Sequence, residues 1–192
     1  MDGKVDESEG ADMSDINKAL RGISHAMQDW AAIDRDDNGR LVLEVLAERW
    51  HPKGSNACIL EVGTCRCIGA SILAQFGTVY TVDTLQYDGT QAALKAFAAD
   101  DKVVRIAGPQ ERARALVAGM RFDFAFLDAW HDYQPVLDDF AFLQTVTSRV
   151  IFHDYQAWFA GCMKAIDEIK TNVGGGWHYA SKFAVWDGTH GK

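Results

Sequence analysis

Short apolar runs alternate with amphipathic segments from residue 57 to residue 170. The runs favour five strands, at 57–62, 79–83, 103–107, 122–128 and 149–152. The segments between and after them predict helices at 70–76, 90–99, 111–118, 135–143 and 159–170. Near-continuous apolar strands separated by helices are typical of a parallel sheet covered on both faces. The expected fold class is therefore α/β, with a doubly wound, mostly parallel sheet.

Both ends of the chain depart from that alternation. Apolar segments at 177–180 and 183–186 flank Ser181 and Lys182 and predict a C-terminal antiparallel strand pair, a hairpin. Residues 1–12 contain five acids and one Lys and predict a disordered acidic tail. A shorter helix is predicted at 41–50, before Pro52. The tail is followed by an apolar stripe at helical spacing, which consists of Ile16, Leu20, Ile23, Met27 and Trp30.

The length predicts a single domain over 13–192, with N-terminal helices packed on the sheet as a cap. The apolar stripe fits ordinary core packing. It also fits a lid or a dimer surface beside a ligand site, so a homodimer is one of the alternatives.

Charge and composition narrow the classes of partner. The 192 residues carry a net charge of −8, which provides no basic surface for nucleic acid or for an anionic membrane. No apolar run approaches the roughly 20 residues of a membrane span, and the acidic N-terminus is unlike a signal peptide. The cysteines, which are expected to be reduced thiols of a cytoplasmic protein, are Cys58, Cys65, Cys67 and Cys162.

Two of the predicted strands end in an acidic residue with a histidine close by. One run ends in Asp128-Ala-Trp-His131 and another in His153-Asp154. Ligands of open α/β sheets bind outside the carboxyl ends of the strands, so these side chains are expected to share one cleft. Such a set can hold a divalent cation and move a proton. The alternatives are a helix-capping Asp128, a surface His131, and a His153 that only orients Asp154.

A glycine-bearing turn follows the first predicted strand. Glu61-Val-Gly63 ends that strand, and Gly69-Ala-Ser71 begins the next helix. Glycine lets a ligand approach the backbone, and a helix N-terminus offers free N–H groups. Asp83 ends the second strand, 22 residues after Glu61, where an acid can accept hydrogen bonds from ribose hydroxyls. The combination predicts a nucleoside-type cofactor.

Four motifs resemble, in order and spacing, those of the class I S-adenosylmethionine-dependent methyltransferases. They are Glu61-Val-Gly-Thr64, Thr81-Val-Asp83, Phe124-Ala-Phe-Leu-Asp128-Ala-Trp-His131-Asp-Tyr133 and Ile151-Phe-His-Asp-Tyr155. The resemblance covers roughly 41–186. It is strongest to the small branch related to macrocin-type sugar O-methyltransferases and cephalosporin-hydroxylase-like proteins. It implies a Rossmann-like fold and an S-adenosylmethionine cofactor, but no particular substrate.

The resemblance also implies roles for individual residues. Asp128 and Asp154 would bind a divalent metal, with His153 as a third ligand beside them. The expected metal is Mg²⁺. His131 would be the base that takes the proton of the acceptor, so that His131 and Asp128 are the expected catalytic pair. The implied cofactor-binding residues are Glu61, Gly63, Thr64, Gly69, Ser71, Asp83, Thr84, Gly108 and Gln110. Within that set, Asp83 would bind the ribose, and Gly108 and Gln110 would lie near the adenine.

One position departs from the family pattern. The family loop brings a second glycine four residues after the first, and that position is Cys67 here. Either Cys67 replaces the glycine, or the loop is two residues longer and Gly69 takes that place. Pairing Gly69-Ala-Ser71 with a family Gly-x-Ser favours the longer loop.

The expected function is metal-assisted O-methylation of a small-molecule hydroxyl, with S-adenosylmethionine as the methyl donor. Two rivals are a nicotinamide-dependent oxidoreductase and a degenerate methyltransferase fold that binds without catalysis. The missing G-x-G-x-x-G spacing disfavours the first, and the altered glycine loop favours the second. Trp130 and Trp158 are expected either to stack on a ligand or to belong to the core or rim. Asp138 and Asp139 are expected to form a solvated helix face.

Overall fold

The computed structural model describes residues 37–189. The predicted tail at 1–12 and the apolar stripe at 16–30 lie outside that range. The structure has six helices in the described part: α1 Asp37–Glu48, α2 Ile68–Leu73, α3 Thr90–Ala96, α4 Gln110–Val117, α5 Tyr133–Val146 and α6 Ala160–Asn172. It has seven strands there: β1 Ala57–Val62, β2 Gly77–Asp83, β3 Val103–Ala107, β4 Phe124–Leu127, β5 Arg149–Phe152, β6 Gly176–Ala180 and β7 Phe183–Asp187. A 3₁₀ turn, Ala157–Phe159, precedes α6.

The seven strands form one sheet in the order β3-β2-β1-β4-β5-β7-β6. The first five strands along the chain pair in parallel, and β7 pairs antiparallel with both β5 and β6. The expected fold class, a Rossmann-like α/β sheet with a C-terminal antiparallel strand pair, is confirmed.

Helices cover both faces of the sheet, because its central strands are apolar on both sides. One core packs α1, α2 and α3 against the sheet, through residues such as Leu43, Leu73 and Leu94. The other packs α4, α5 and α6 through residues such as Val117 and Phe140. Within 37–189, no helix is both long enough and apolar enough to cross a membrane.

The order of the strands fixes where a ligand can bind. The chain runs outward from β1 through β2 to β3, then returns to the other side of β1 with β4 and β5. The connections after β1 and β4 therefore diverge, and a crevice opens at the carboxyl ends of these two strands.

Candidate active site

A cavity of about 930 Å³ lies at the carboxyl ends of the central strands. That volume is in the range of small-molecule and cofactor sites. It brings together most of the site residues predicted from the sequence. Those that line it are Glu61, Gly63, Thr64, Gly69, Asp83, Thr84, Gln110, Asp128, His131 and Asp154.

Gly63 is required where β1 ends, because the backbone there nearly touches the end of β4. Its φ is +99°, and a β-carbon would lie 1.9 Å from the carbonyl oxygen of Asp128. Its N–H donates to the carbonyl of Val82 at 2.9 Å. The turn therefore joins the ends of β1, β2 and β4 on the floor of the cavity.

Glu61 is buried beneath this turn, with 1% of its surface exposed. The Thr81 hydroxyl donates a hydrogen bond to its carboxylate, and Thr81 also pairs with Thr64 at 2.7 Å between the two hydroxyl oxygens. Burial raises the pKa of Glu61 well above its usual range, although the hydrogen bond from Thr81 opposes the shift. Glu61 is thus a cavity-lining carboxyl whose charged form is disfavoured by burial and is supported by the hydrogen bond from Thr81.

The loop between Gly63 and α2 supports the longer of the two alignments. Cys67 has a left-handed φ of 63°, is fully buried in the core with α2 and α3, and does not line the cavity. Gly69 does line it, and a β-carbon on Gly69 would lie 2.3 Å from Oε1 of Glu61. Gly69 therefore occupies the position where the absence of a side chain matters.

Asp83 lies at the end of β2 and is held by backbone donors. Its Oδ2 accepts from the N–H of Cys65 at 2.9 Å, and its Oδ1 accepts from the N–H of Leu85 at 3.1 Å. These bonds fix the carboxylate on the wall of the cavity, where it can still accept hydrogen bonds from a ligand.

Two of the predicted cofactor residues do not line the cavity. Ser71 is fully buried inside α2. Gly108 adopts φ +144° after β3, with open space around it. Gln110 does line the cavity, but its amide donates to Oδ1 of Asp139 at 2.8 Å.

The two acidic strand ends meet in one hydrogen-bonded network. Nδ1 of His153 lies 3.0 Å from Oδ1 of Asp128 and 3.1 Å from Oδ2 of Asp154. Nε2 of His131 lies 2.7 Å from the same Oδ2 of Asp154. The His131 ring stacks on Phe159, with centroids 4.1 Å apart. His153 is buried behind the two carboxylates, whereas His131 remains open to the cavity.

These contacts shift the protonation of the network. Burial opposes the charged form of His153, but the adjacent Asp128 and Asp154 raise its pKa to about 9. The hydrogen bond to Asp154 raises the pKa of His131, and burial opposes that shift. For Asp154, burial is outweighed by hydrogen bonds from His131 and His153, so its pKa is lowered. The two carboxylates are therefore compensated by imidazoles, and charge balance alone does not require a metal.

The donor atoms nevertheless fit a divalent cation. Asp128, His131 and Asp154 each offer a ligand atom, and these atoms all lie within 4.8 Å of one another. Two carboxylates and one imidazole, with no thiolate among them, are ligands that favour Mg²⁺ or Mn²⁺ over softer metals. His153, the predicted third ligand, lies outside that set and directs Nδ1 at both carboxylates.

The rim of the cavity is aromatic. Trp130 and Trp158 both line it while being 57% and 89% exposed. They come from the connections after β4 and after β5, and each is next in sequence to one member of the His131–Phe159 ring stack. Their exposure favours the rim interpretation, with indole faces available to a ligand.

The expectation of a solvated Asp139 is wrong. Asp138 is exposed, but Asp139 is 1% exposed and lines the cavity. Arg114 pairs with it at 2.7 Å between Nη2 and Oδ1. Arg114 lies on α4, 25 residues before Asp139, so the pattern of charges along α5 does not indicate this ion pair.

Comparison with known proteins agrees with this architecture. No protein-family model matches the chain, and no curated protein sequence matches it. Solved structures do match it in their fold. The O-methyltransferase of Bacillus cereus, in complex with SAH, superposes with a TM-score of 0.69 at 17% identity, over 90% of this chain and 89% of that one. The chain has the fold of the class I methyltransferases. The resemblance inferred from its motifs is thus confirmed at the level of the fold.

Two further solved structures show the same likeness. The O-methyltransferase TomG of Streptomyces achromogenes, involved in tomaymycin synthesis and in complex with SAM, has a TM-score of 0.65 at 16% identity, over 95% of this chain and 89% of that one. A methyltransferase of Geobacter sulfurreducens has a TM-score of 0.62 at 13% identity, over 88% and 85% of the two chains.

Proposed function

We propose that the protein is an S-adenosylmethionine-dependent O-methyltransferase that acts on a small-molecule hydroxyl with the help of a divalent cation. The observation that carries the proposal is one cavity with two chemically distinct ends. Gly63 and Asp83 provide a nucleoside-type end, and Asp128, His131 and Asp154 provide a proton-accepting, cation-binding end. The fold shared with methyltransferases supports the choice of cofactor.

The order of the strands supports one arrangement of the two reactants in this proposal. Asp83 would hold the ribose at the end of β2, and the turn at Gly63 would hold the amino-acid part at the end of β1. The acceptor would then lie beyond β1, at the ends of β4 and β5, where Asp128 and His131 are found. Aligning the two reactants in one cavity would supply much of the rate.

His131 would act as the general base. Its Nε2–H donates to Asp154, which leaves Nδ1 to accept the proton of the hydroxyl, and Asp154 would stabilise the imidazolium that forms. The oxygen would bond to the methyl carbon as the carbon–sulfur bond breaks, which leaves a neutral thioether. A divalent cation held by Asp128 and Asp154 would supply Lewis acidity that lowers the pKa of the hydroxyl. His153 would keep both carboxylates oriented from behind.

The aromatic rim supports a small molecule as the acceptor. Trp130 and Trp158 present exposed rings, each next in sequence to a member of the His131–Phe159 stack, and a ring-shaped acceptor could stack on them. The net charge of −8 gives no support for nucleic acid as acceptor.

A transfer assay with isotopically labelled methyl groups tests the proposal. The protein is incubated with labelled S-adenosylmethionine and a panel of phenols and sugars, with Mg²⁺ or with excess EDTA. Transfer to oxygen that depends on the metal supports the proposal. Full transfer in EDTA would rule out a catalytic metal. Mass spectrometry of the purified protein would identify co-purified molecules, which are then tested as acceptors. Tight cofactor binding without methyl transfer to any of the acceptors would favour a binding protein.

His131→Ala separates the base from the rest of the site. Turnover should fall about 10²–10⁴-fold, the usual contribution of a positioned base, with cofactor binding nearly intact. Since the pKa of His131 is raised in the free protein, wild-type activity should increase with pH through the deprotonation of this ring. The variant should lose that dependence. A variant with wild-type turnover would remove His131 from the mechanism.

A further inference from the structure

The segment that follows β5 contacts the imidazole of His131 at two places. Nε2 of His131 lies 2.7 Å from Oδ2 of Asp154. Further along the same segment, the ring of Phe159 stacks on the imidazole, with centroids 4.1 Å apart and the two planes inclined by 23°. The hydrogen bond has a part in the proposed reaction, whereas the stack has none. The ring of Phe159 therefore calls for an explanation of its own.

The two contacts restrict different motions of the imidazole. A hydrogen bond at one nitrogen fixes the distance and direction of that atom, but the ring can still turn about the line from Nε2 to the carboxylate oxygen. A second aromatic ring on one face opposes that rotation, because turning would break the contact between the faces. Asp154 thus fixes the position of Nε2, and Phe159 fixes the plane of the ring. The other nitrogen, Nδ1, is then held in one direction.

The segment that provides both contacts is itself tied together. Nε2 of Gln156 donates to Oδ1 of Asp154 at 3.0 Å, and the N–H of Phe159 donates to the carbonyl of Gln156 at 3.0 Å. Helix α6 then packs directly on the loop of His131, since a β-carbon on Gly161 would lie 2.8 Å from the carbonyl oxygen of His131. The carboxylate, the aromatic ring and the support of the loop backbone therefore all come from one short stretch of chain.

We propose that Phe159 is a positioning residue, whose ring holds the His131 imidazole in the plane that directs Nδ1 at the acceptor hydroxyl. The inference rests on the proposed function, because it takes His131 to be the base. A reacting group that is misplaced by about 1 Å can lose about 10²-fold in rate, so the plane of this ring matters for turnover. Phe159 acts through His131 and need not touch the acceptor.

Two simpler explanations compete with this role. Phe159 also packs against the core formed with α4, α5 and α6, so its ring could serve stability alone. It lines the cavity as well, so it could contact the acceptor directly. Neither effect would depend on the presence of the imidazole, whereas a positioning effect would vanish without it.

The decisive comparison is Phe159→Leu in the wild-type and the His131→Ala backgrounds. In the wild type, kcat should fall about 10- to 100-fold, with KM for the acceptor and Kd for S-adenosylhomocysteine within about threefold. Phe159→Tyr keeps the ring and should restore most of the turnover. In His131→Ala, the change to Leu should alter kcat by less than about threefold, because residues that act as a unit are not additive.

Phe97→Leu is the matched control. It removes a ring from a partly buried phenylalanine that packs on the other face of the sheet and does not line the cavity, so wild-type turnover is expected. Thermal unfolding checks that each variant folds. An equal loss of turnover from Phe159→Leu with and without His131, or wild-type turnover in Phe159→Leu, would overturn the inference.

NMR of the histidine rings tests the stack without any acceptor. The signals of His131 are assigned by their loss in His131→Ala, and the ring current of Phe159 should shift them upfield. Phe159→Leu should move them toward the position of the exposed His178, whereas Phe97→Leu should not. Failure to methylate any acceptor would overturn the proposed function, and the ring signals then decide the inference alone. His131 signals that stay unchanged in Phe159→Leu would overturn it.

Discussion

At the scale of single residues, the burial of Cys67 decides how the loop between Gly63 and α2 is matched to the family pattern. Its side chain lies in the core with α2 and α3, and its backbone is left-handed at φ 63°. Cys67→Gly would relieve that backbone conformation but remove buried atoms and add chain entropy to the unfolded state. We expect the affinity for S-adenosylhomocysteine to stay within about threefold or to weaken, because no β-carbon leaves the cavity. Tighter binding by more than that, measured by isothermal titration, would contradict the alignment on Gly69.

His153 gives the free protein a characteristic pH dependence. Its pKa rises from an ordinary value of about 6.5 to about 9 on folding. Its contribution to stability is therefore complete below pH about 6.5 and is lost as the pH rises through about 9. The pKa of Asp154 is lowered instead, so its contribution is present above pH about 4 and is lost only as the pH falls further.

Urea unfolding in EDTA at pH 6 and pH 9.5 measures the contribution of His153. The loss of unfolding free energy between the two pH values should be larger in the wild type than in His153→Asn, by more than about 1 kcal/mol. Asn can keep a donor near the position of Nδ1 without titrating. His178→Asn, at an exposed position on β6, is the control and should behave like the wild type. An equally steep loss in His153→Asn would mean that this network does not hold a charged imidazole.

At the scale of secondary-structure elements, the approach of β1 to β4 makes one glycine indispensable. A β-carbon on Gly63 would lie 1.9 Å from a backbone oxygen, and its φ of +99° strains any other residue. Gly63→Ala should lower the unfolding free energy by more than about 2 kcal/mol. Gly119→Ala, where a β-carbon meets nothing within 4 Å, should change it by less than about 1 kcal/mol. Chemical denaturation compares the two, and equal effects would contradict the close approach.

The elements themselves could be predicted well from the sequence, for a physical reason. Strands β1, β3 and β5 have the predicted bounds, because buried strands of a parallel sheet are short apolar runs with polar ends. The helix predicted at 41–50 begins earlier, at Asp37, since its first turn is polar and carries no apolar period. Helix ends depend on hydrogen bonds of single residues, which apolar periodicity does not report.

At the scale of the whole molecule, the residues that line the cavity could be predicted from the sequence more accurately than the contacts that each of them makes. The carboxyl ends of parallel strands lie at one edge of the sheet, so the sequence predicts that Asp83, Asp128 and Asp154 line the same crevice, as they do. The burial of Asp139 depends instead on Arg114 of a different helix, and such a long-range pair leaves no local pattern. The same holds for His153, whose place behind both carboxylates follows from tertiary packing.

The central claim is that this cavity binds an S-adenosyl cofactor, and isothermal titration tests it most directly. Wild-type protein titrated with S-adenosylhomocysteine should show one saturable site, and NADH at the same concentrations should show none. Asp83→Ala should weaken binding by about 1.5–3 kcal/mol, the range for hydrogen bonds to a charged group, whereas Asp88→Ala, at an exposed position after β2, should not. The absence of heat and of any thermal shift with millimolar S-adenosylhomocysteine, or saturable binding of NADH in its place, would contradict the account.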